Sequence, residues 1–451
     1  MKTPIYSIFI LLATLMITGC SDYVEIDPVG NTRVLKYTAD YRSLVNNQSN
    51  FQNSGGIYLI SSTEIQFPET YQDIVSPIWA NAYTWKDAIY NESQSDADWN
   101  NLYKAIYYSN VVIDGVMGSE RGDASEKQEI LAEAYVHRAF AYLQLVNTYA
   151  PQFDPQGTNT AKAVPLLTTP SLYTELDRTS VAEVYELILS DLQKSLDNSI
   201  QVNAEFNTLP TKAAAYAILA RTYLYMGNYD LALDNSLEAL DLEGSLIDLN
   251  AFSSGYDYPP LFENPEILLS KTLLFSYHNA PLSEDLIMSF EDDDLRYDYY
   301  TIDGANVYPS FTGRAFGISN YNFNTGVNVG PSVPEMHLIA AEAYARSGDL
   351  ENALKYLNDL REKRYQSGSA YELSSSSPEE VMDYVITERS KELIGRGFSW
   401  FDQRRLNLDS EYQQTFTRIF KGETYVLEPN SDGYVFPIFQ NYIDLNPELG
   451  K

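Results

Sequence analysis

The histidines are the first residues to test for chemistry, and there are only three: His137, His278 and His337. No His-Glu-x-x-His pairing occurs, and His137 and His337 fall in predicted helices far apart in the chain, so spacing gives no zinc ligand set. They read as structural or surface histidines. No Gly-x-Ser-x-Gly elbow, phosphate loop or dinucleotide fingerprint is present. With 62 acidic residues, two carboxylates at glycosidase separation can arise anywhere, so their proximity in sequence carries no weight. Asp292-Asp293-Asp294 lacks the spaced ligands and glycine of a calcium loop and reads as a solvated acidic turn. The residues offer no catalytic constellation, no cofactor site and no metal site.

What they do offer is aromatic density in two irregular segments. One carries Phe67, Tyr71, Trp79, Tyr83, Trp85 and Tyr90, with Gln72 and Asn81 among them. The other carries Arg296, Tyr297, Tyr299, Asn306, Tyr308, Arg314, Asn320 and Tyr321. Flat rings stack on the C–H faces of sugars, while amides and guanidinium groups bond the hydroxyls. The candidate ligand contacts are therefore Trp79, Asn81, Tyr83, Trp85, Tyr71, Arg296, Tyr297, Tyr299, Tyr308, Arg314 and Tyr321. The competing reading is that these rings pack the loops onto the body. Trp99, Tyr103 and Ile106 sit at helical spacing and belong to a core. The 37 tyrosines exceed what a core wants, since each buried phenol needs a partner.

Helices must position these segments. The spacing predicts an antiparallel pair over 97–117 and 126–149, the second with Leu131, Ala134, Tyr135, Tyr142, Leu145, Val146 and Tyr149 on one stripe. Arg138 falls inside that stripe and calls for a carboxylate partner. Ser180-Val181-Ala182-Glu183 forms a capping box, opening a helix with Val184, Ile188, Leu192 and Leu196 on one face. Thr211 opens another helix to Gly227, followed by one over 229–242. Ser332-Val333-Pro334-Glu335 reads as a second capping box, with helices over 334–347 and 350–365, and Ser377-Pro378-Glu379-Glu380 caps a further one to about Gly395. Residues 434–438 read as extended. Ala220, Tyr223, Gly227, Tyr229 and Ala232 recur 121 positions on as Ala341, Tyr344, Gly348, Leu350 and Ala353. Helix, glycine turn, and a second helix with a close-approach alanine are the core of a tetratricopeptide unit. The fold expected is mostly α: tetratricopeptide-like helix pairs in a right-handed superhelical scaffold, with long irregular loop insertions.

The N-terminus is a targeting segment. Lys2 is the only charge before an apolar run from Ile5 to Ile17, too short to cross a bilayer. The run ends in Leu15-Met16-Ile17-Thr18-Gly19-Cys20, which looks like a lipobox, and Cys20 is the only cysteine. It is the expected lipidation site, and a lone cysteine excludes intramolecular disulfides and Cys-based zinc sites. The net charge of −32 opposes nucleic-acid binding and adhesion to anionic lipid, leaving the lipid as the one attachment to a membrane. The expected organisation is a signal peptide over 1–19, a lipidated N-terminus and tether over 20–45, and one domain over 46–451. Its helix pairs span about 97–149, 181–242, 334–365 and 379–405, and its loop-rich ligand regions 46–95 and 245–331.

In order and spacing the chain resembles the SusD/RagB family of nutrient-binding outer-membrane lipoproteins of Bacteroidota. The resemblance runs from Cys20 and Glu25-Ile26-Asp27-Pro28 through Trp99-Asn100-Asn101-Leu102-Tyr103, Asn110-Val111-Val112-Ile113-Asp114 and Glu133-Ala134-Tyr135-Val136-His137-Arg138-Ala139. It continues through Val164-Pro165-Leu166, Ser180–Tyr185, Thr211–Ala214, Ala341–Tyr344 and Asn358–Arg361. It closes on Glu388-Arg389, Trp400-Phe401-Asp402, Arg404-Arg405, Phe436-Pro437-Ile438 and Asn446-Pro447. His137 stands where the family usually has an apolar residue, and Ile394-Gly395-Arg396-Gly397 where it has an acidic residue near glycine. The resemblance implies a non-enzymatic, cell-surface protein, lipid-anchored in the outer membrane, that captures a glycan and acts as a lid on a SusC-like TonB-dependent transporter. Peptide capture, as in RagB-like relatives, is the alternative. A surface-anchored hydrolase and a purely structural scaffold are the remaining ones.

Overall fold

The computed structural model describes residues 35–253, 258–273, 280–317 and 326–451. Cys20 with the signal peptide, His278, Asn320 and Tyr321 lie outside the described residues. Eleven helices carry the argument: α1 Thr38–Val45, α2 Pro77–Tyr83, α3 Ala97–Gly115, α4 Ala124–Tyr149, α5 Val181–Asp197, α6 Lys212–Tyr225, α7 Tyr229–Leu242, α8 Val333–Ser347, α9 Leu350–Glu362, α10 Pro378–Glu392 and α11 Phe398–Leu406. Strands are short: antiparallel pairs β1 Lys162–Pro165 with β2 Arg178–Ser180, β3 Thr301–Asp303 with β4 Arg314–Phe316, and β5 Phe416–Phe420 with β6 Glu423–Leu427. The molecule is mostly helical, 51% helix against 9% strand.

Successive helices stack as neighbours from α3 to α9, and α10 returns onto α8. The local reasons are those the residues announce. Ser180 Oγ accepts from Glu183 N (3.2 Å) while the Glu183 carboxylate accepts from Ser180 N (2.8 Å), completing the capping box of α5. Val184, Ile188 and Leu192 are fully buried on its inner face, each contributing roughly 1.5–3 kcal/mol. The repeat is real in backbone detail. Gly227 and Gly348 both adopt left-handed φ, +72° and +84°, a conformation glycine reaches without a Cβ clash. The next residue then donates back to the tyrosine carbonyl five earlier, Asn228 to Tyr223 and Asp349 to Tyr344, both at 2.9 Å. Ala232 and Ala353 are both fully buried where the paired helices meet.

Buried ion pairs join the layers. Arg138 on α4 finds the partner its position requires, donating to both oxygens of Asp191 on α5 at 2.7 and 2.8 Å. Arg221 on α6 is bidentate to Glu335 on α8, both bonds 2.6 Å. That pairing takes the Glu335 carboxylate out of the capping box expected at Ser332, and Ser332 makes no side-chain cap bond; its Oγ accepts from Arg396 at 3.2 Å. Arg404 on α11 donates to the carbonyls of Asn147 and Ala150, closing the C-terminal end of α4.

Two further expectations are corrected. The tether read as far as residue 45 ends sooner, because α1 belongs to the compact unit beginning at Tyr37. There Tyr41 is buried, and Arg42 bonds Glu133 (2.8 Å) and Glu129 (2.7 Å) on α4. The acidic turn at 292–294 is only partly solvated: Asp292 and Asp293 are exposed, whereas Asp294 is buried against Arg296. His137 and His337 are both interior; His137 stacks on Phe51 at 4.4 Å and receives Lys271 Nζ at 2.8 Å on Nδ1.

Candidate functional site

The two aromatic segments, far apart in sequence, are brought together by a short ladder. Ile65 pairs antiparallel with Leu282, Pro281 with Ala315, and β4 with β3, while Ser283 N donates to Glu64 O at 2.7 Å. Phe67 is the hub of the rings. Tyr83 stacks on it at 4.3 Å, Tyr71 at 5.5 Å and Trp79 at 6.2 Å in nearly parallel planes (2°), and Tyr71 meets Phe311 of the second segment edge-on at 5.7 Å.

This hub borders a groove of about 1200 Å³. One wall is Phe67, Glu69, Gln72 and Tyr83; a second is Asp285, Leu286 and Ser289; the floor comes from Arg389, Asp402, Gln403 and Arg405 on α10 and α11; the last wall is the β5–β6 hairpin. The floor is a row of planar groups, its arginines buried and paired. Arg389 donates through Nε and Nη2 to the two oxygens of Asp402 (3.1 Å each), which also accepts from Arg405 Nε (2.9 Å), and Arg405 is bidentate to Glu342 at 2.6 and 2.7 Å. Gln72 holds the hairpin in place, donating to Ile419 O (3.3 Å) and accepting from Lys421 N (2.6 Å). Glu64, also on the lining, accepts from Gly395 N (2.6 Å) and Ser399 Oγ (2.9 Å) and forms no ion pair among the described residues, and burial pushes its carboxyl up to about 7. The hairpin sends Arg418 inward between two rings, 4.1 Å from Tyr83 and 4.4 Å from Trp85, where burial lowers it to about 10. On the far side of that stack a second cavity, about 600 Å³, is lined by Trp85, Tyr90, Phe436 and Phe439.

Most of the residues expected to meet ligand make contacts within the protein itself. Arg296 is wholly buried, donating to Asp294 (2.7 Å), Glu388 (2.8 Å) and Glu392 (3.2 Å), so it fastens the insertion to α10. Tyr71 and Tyr83 are core residues, and the Tyr83 hydroxyl accepts from Phe67 N at 3.2 Å. Asn81 donates to Ile89 O (3.1 Å), Trp85 Nε1 to Ser61 O (3.1 Å) and Tyr299 to Phe252 O (2.8 Å). Arg314 lies over the Tyr297 ring at 4.3 Å and donates to Thr301 Oγ1 and two backbone carbonyls. Irregular backbone leaves carbonyls unpaired, and these polar tips satisfy them. Trp79 stays half-buried at the hub and Tyr308 stands 94% exposed. Sequence reasoning did not place Arg389, Asp402, Gln403 and Arg405 on a groove. Their signal was in view, as the Glu388-Arg389 and Trp400–Arg405 motifs, but nothing in a helical stripe says that its charged residues floor a groove.

A scaffold of stacked helix pairs, with loops and a hairpin enclosing a polar and aromatic groove, defines a helical-repeat binding protein. Residues 30–224 match the SusD-like family described as starch-binding, associating with outer membrane, and residues 334–451 match the SusD family. Among relatives, SusD-like protein P2 of Formosa agariphila is 25% identical, covering 96% of each chain, and SusD-like protein P38 of the same organism is 23% identical, covering 78% of each. A SusD superfamily protein from Bacteroides thetaiotaomicron superposes with a TM-score of 0.72 at 21% identity, over 91% of this chain and 98% of that one. A SusD-like carbohydrate binding protein from Bacteroides vulgatus gives 0.67 at 19%, over 92% and 97%. The chain belongs to the SusD/RagB family of outer-membrane-associated, carbohydrate-binding proteins.

Proposed function

We propose that this chain is a cell-surface lipoprotein that holds an oligosaccharide in the 1200 Å³ groove and delivers it, as a lid, to a SusC-like TonB-dependent outer-membrane transporter. The observation that carries the reading is the groove's make-up. Amides and carboxylates of Gln66, Glu69, Asp285 and Gln403 on the lining suit sugar hydroxyls, and Phe67 and Tyr83 of the ring hub stand at its edge, with Trp79 stacked on Phe67. Binding, not catalysis, is the role. Peptide capture is the second reading, favoured by aliphatic side chains on and beside the lining: Ile74, Met288 and Ile419 are 55%, 69% and 65% exposed.

Titrating the mature chain calorimetrically against an oligosaccharide panel and a peptide mixture separates the two. The expected outcome is saturable glycan binding, weakened about tenfold in Trp79→Ala, the equivalent of ~1.4 kcal/mol of lost stacking. Saturable peptide binding with no glycan binding would reassign the ligand. Mild-detergent extraction followed by affinity capture should bring down a TonB-dependent barrel, and its absence counts against the lid.

A further inference from the structure

Helix α7 carries a charge pattern that its own fold does not use. Asp230, Asp234, Glu238 and Asp241 are all exposed, the helix holds no basic residue, and none of the four forms an ion pair among the described residues. At 3.6 residues per turn they share an arc of about 80° and a length of about 16 Å. Like charges four residues apart work against a helix, and acids in its last turn oppose the macrodipole. The ridge weakens the element that bears it.

Immediately beside the ridge, on the next ~40° of α7, Leu231 and Asn235 form one wall of a groove of about 660 Å³. Its floor is α6, presenting Tyr216 and Tyr223, and its other wall is α5, presenting Leu189 and Leu196. These four are half-buried and Leu231 is 38% exposed, so apolar surface remains open to water along the groove. Lys212 is the single cation on the lining. None of these residues belongs to the groove proposed for the nutrient.

We infer that this face docks an amphipathic helical segment of a protein partner, with lysine or arginine along one side and aliphatic residues along the other. Charge complementarity selects that occupant. The aliphatic side seats between α5 and α7 on the tyrosines of α6, and the basic side meets the four carboxylates of α7. An anionic membrane surface is repelled by the same ridge. The proposal is independent of which nutrient the protein binds.

The test uses the mature chain and a synthetic leucine–lysine peptide of about five helical turns, followed by fluorescence anisotropy, with a leucine–glutamate peptide of identical spacing as comparison. The lysine peptide is expected to bind saturably and the glutamate peptide not at all. Combining Asp234→Asn, Glu238→Gln and Asp241→Asn should weaken binding about tenfold or more, whereas Glu372→Gln, Asp383→Asn and Glu411→Gln together, the same charge change elsewhere, should leave it within about twofold. Thermal melts separate this from unfolding, because removing like-charge repulsion raises the ridge variant's melting temperature. Three results would overturn the assignment: no saturable binding, equal weakening in both triple variants, or self-association of the chain that the ridge variant abolishes.

Discussion

Glu64 shows how a groove residue can cost stability. Its carboxylate is buried, held by Gly395 N and Ser399 Oγ and in no ion pair among the described residues, so folding raises its pKa to about 7 from an unfolded value near 4.5. The sign follows: the folded state binds the proton more tightly, so this group imposes no cost below about pH 4.5 and a growing one as pH rises through 7. At pH 8 the cost is about 3 kcal/mol. Glu64→Gln keeps an acceptor and removes the charge. Chemical denaturation should therefore show the variant gaining on the wild type between pH 5 and pH 8. Parallel stability curves over that range would refute the account. Asp98, which accepts from Gly56 N and Ile57 N, is also raised to about 7 by burial and by Asp96, so the difference between the two proteins is the informative quantity.

Among elements, the Arg138–Asp191 pair tests what holds α4 to α5. Both groups are almost wholly buried, so deleting one leaves an uncompensated charge. Asp191→Ala should cost about 3–5 kcal/mol, while Arg138→Met with Asp191→Leu should recover most of it. A double variant as unstable as the single one would mean the pair's hydrogen bonds, including Arg138 to Asn110 (2.8 Å), outweigh the desolvation it avoids. The need for a carboxylate was legible in the sequence, because an arginine inside an apolar stripe demands one, but not that Asp191 supplies it. The capping box at Ser332 was misread for a related reason: a glutamate at the third helical position suits either a cap or an ion pair, and only the position of Arg221 decides. The β5–β6 hairpin shows where legibility stops. Its turn signal was present, with Lys421 and Gly422 at φ +52° and +80°. Yet Arg418 points inward and Ile419 outward, 65% exposed, so the alternation reads inverted. The aromatic segments meet the same limit: composition counts rings without saying which way they face, and irregular backbone takes up polar tips such as those of Trp85 and Tyr299 to satisfy its own carbonyls.

On the scale of the whole molecule, attachment to the membrane has few physical sources. No helix among the described residues is long and apolar enough to cross a bilayer. A net charge of −32 gives the chain no attraction to an anionic surface. In the function proposed above, lipid on Cys20 supplies the membrane affinity, and two acyl chains suffice where one is marginal, at about 0.8 kcal/mol per buried CH₂. Cys20→Ala removes that chemistry while leaving the body, which begins at Tyr37, unchanged. After cell fractionation the wild type should sediment with membranes through a high-salt wash, and the variant should appear in the soluble fraction with an unaltered melting temperature. Salt-resistant sedimentation of the variant would show that a protein contact, not the lipid, carries the attachment. Protease treatment of intact cells adds the orientation: digestion of the wild type places the body outside, and full protection would contradict a surface lid.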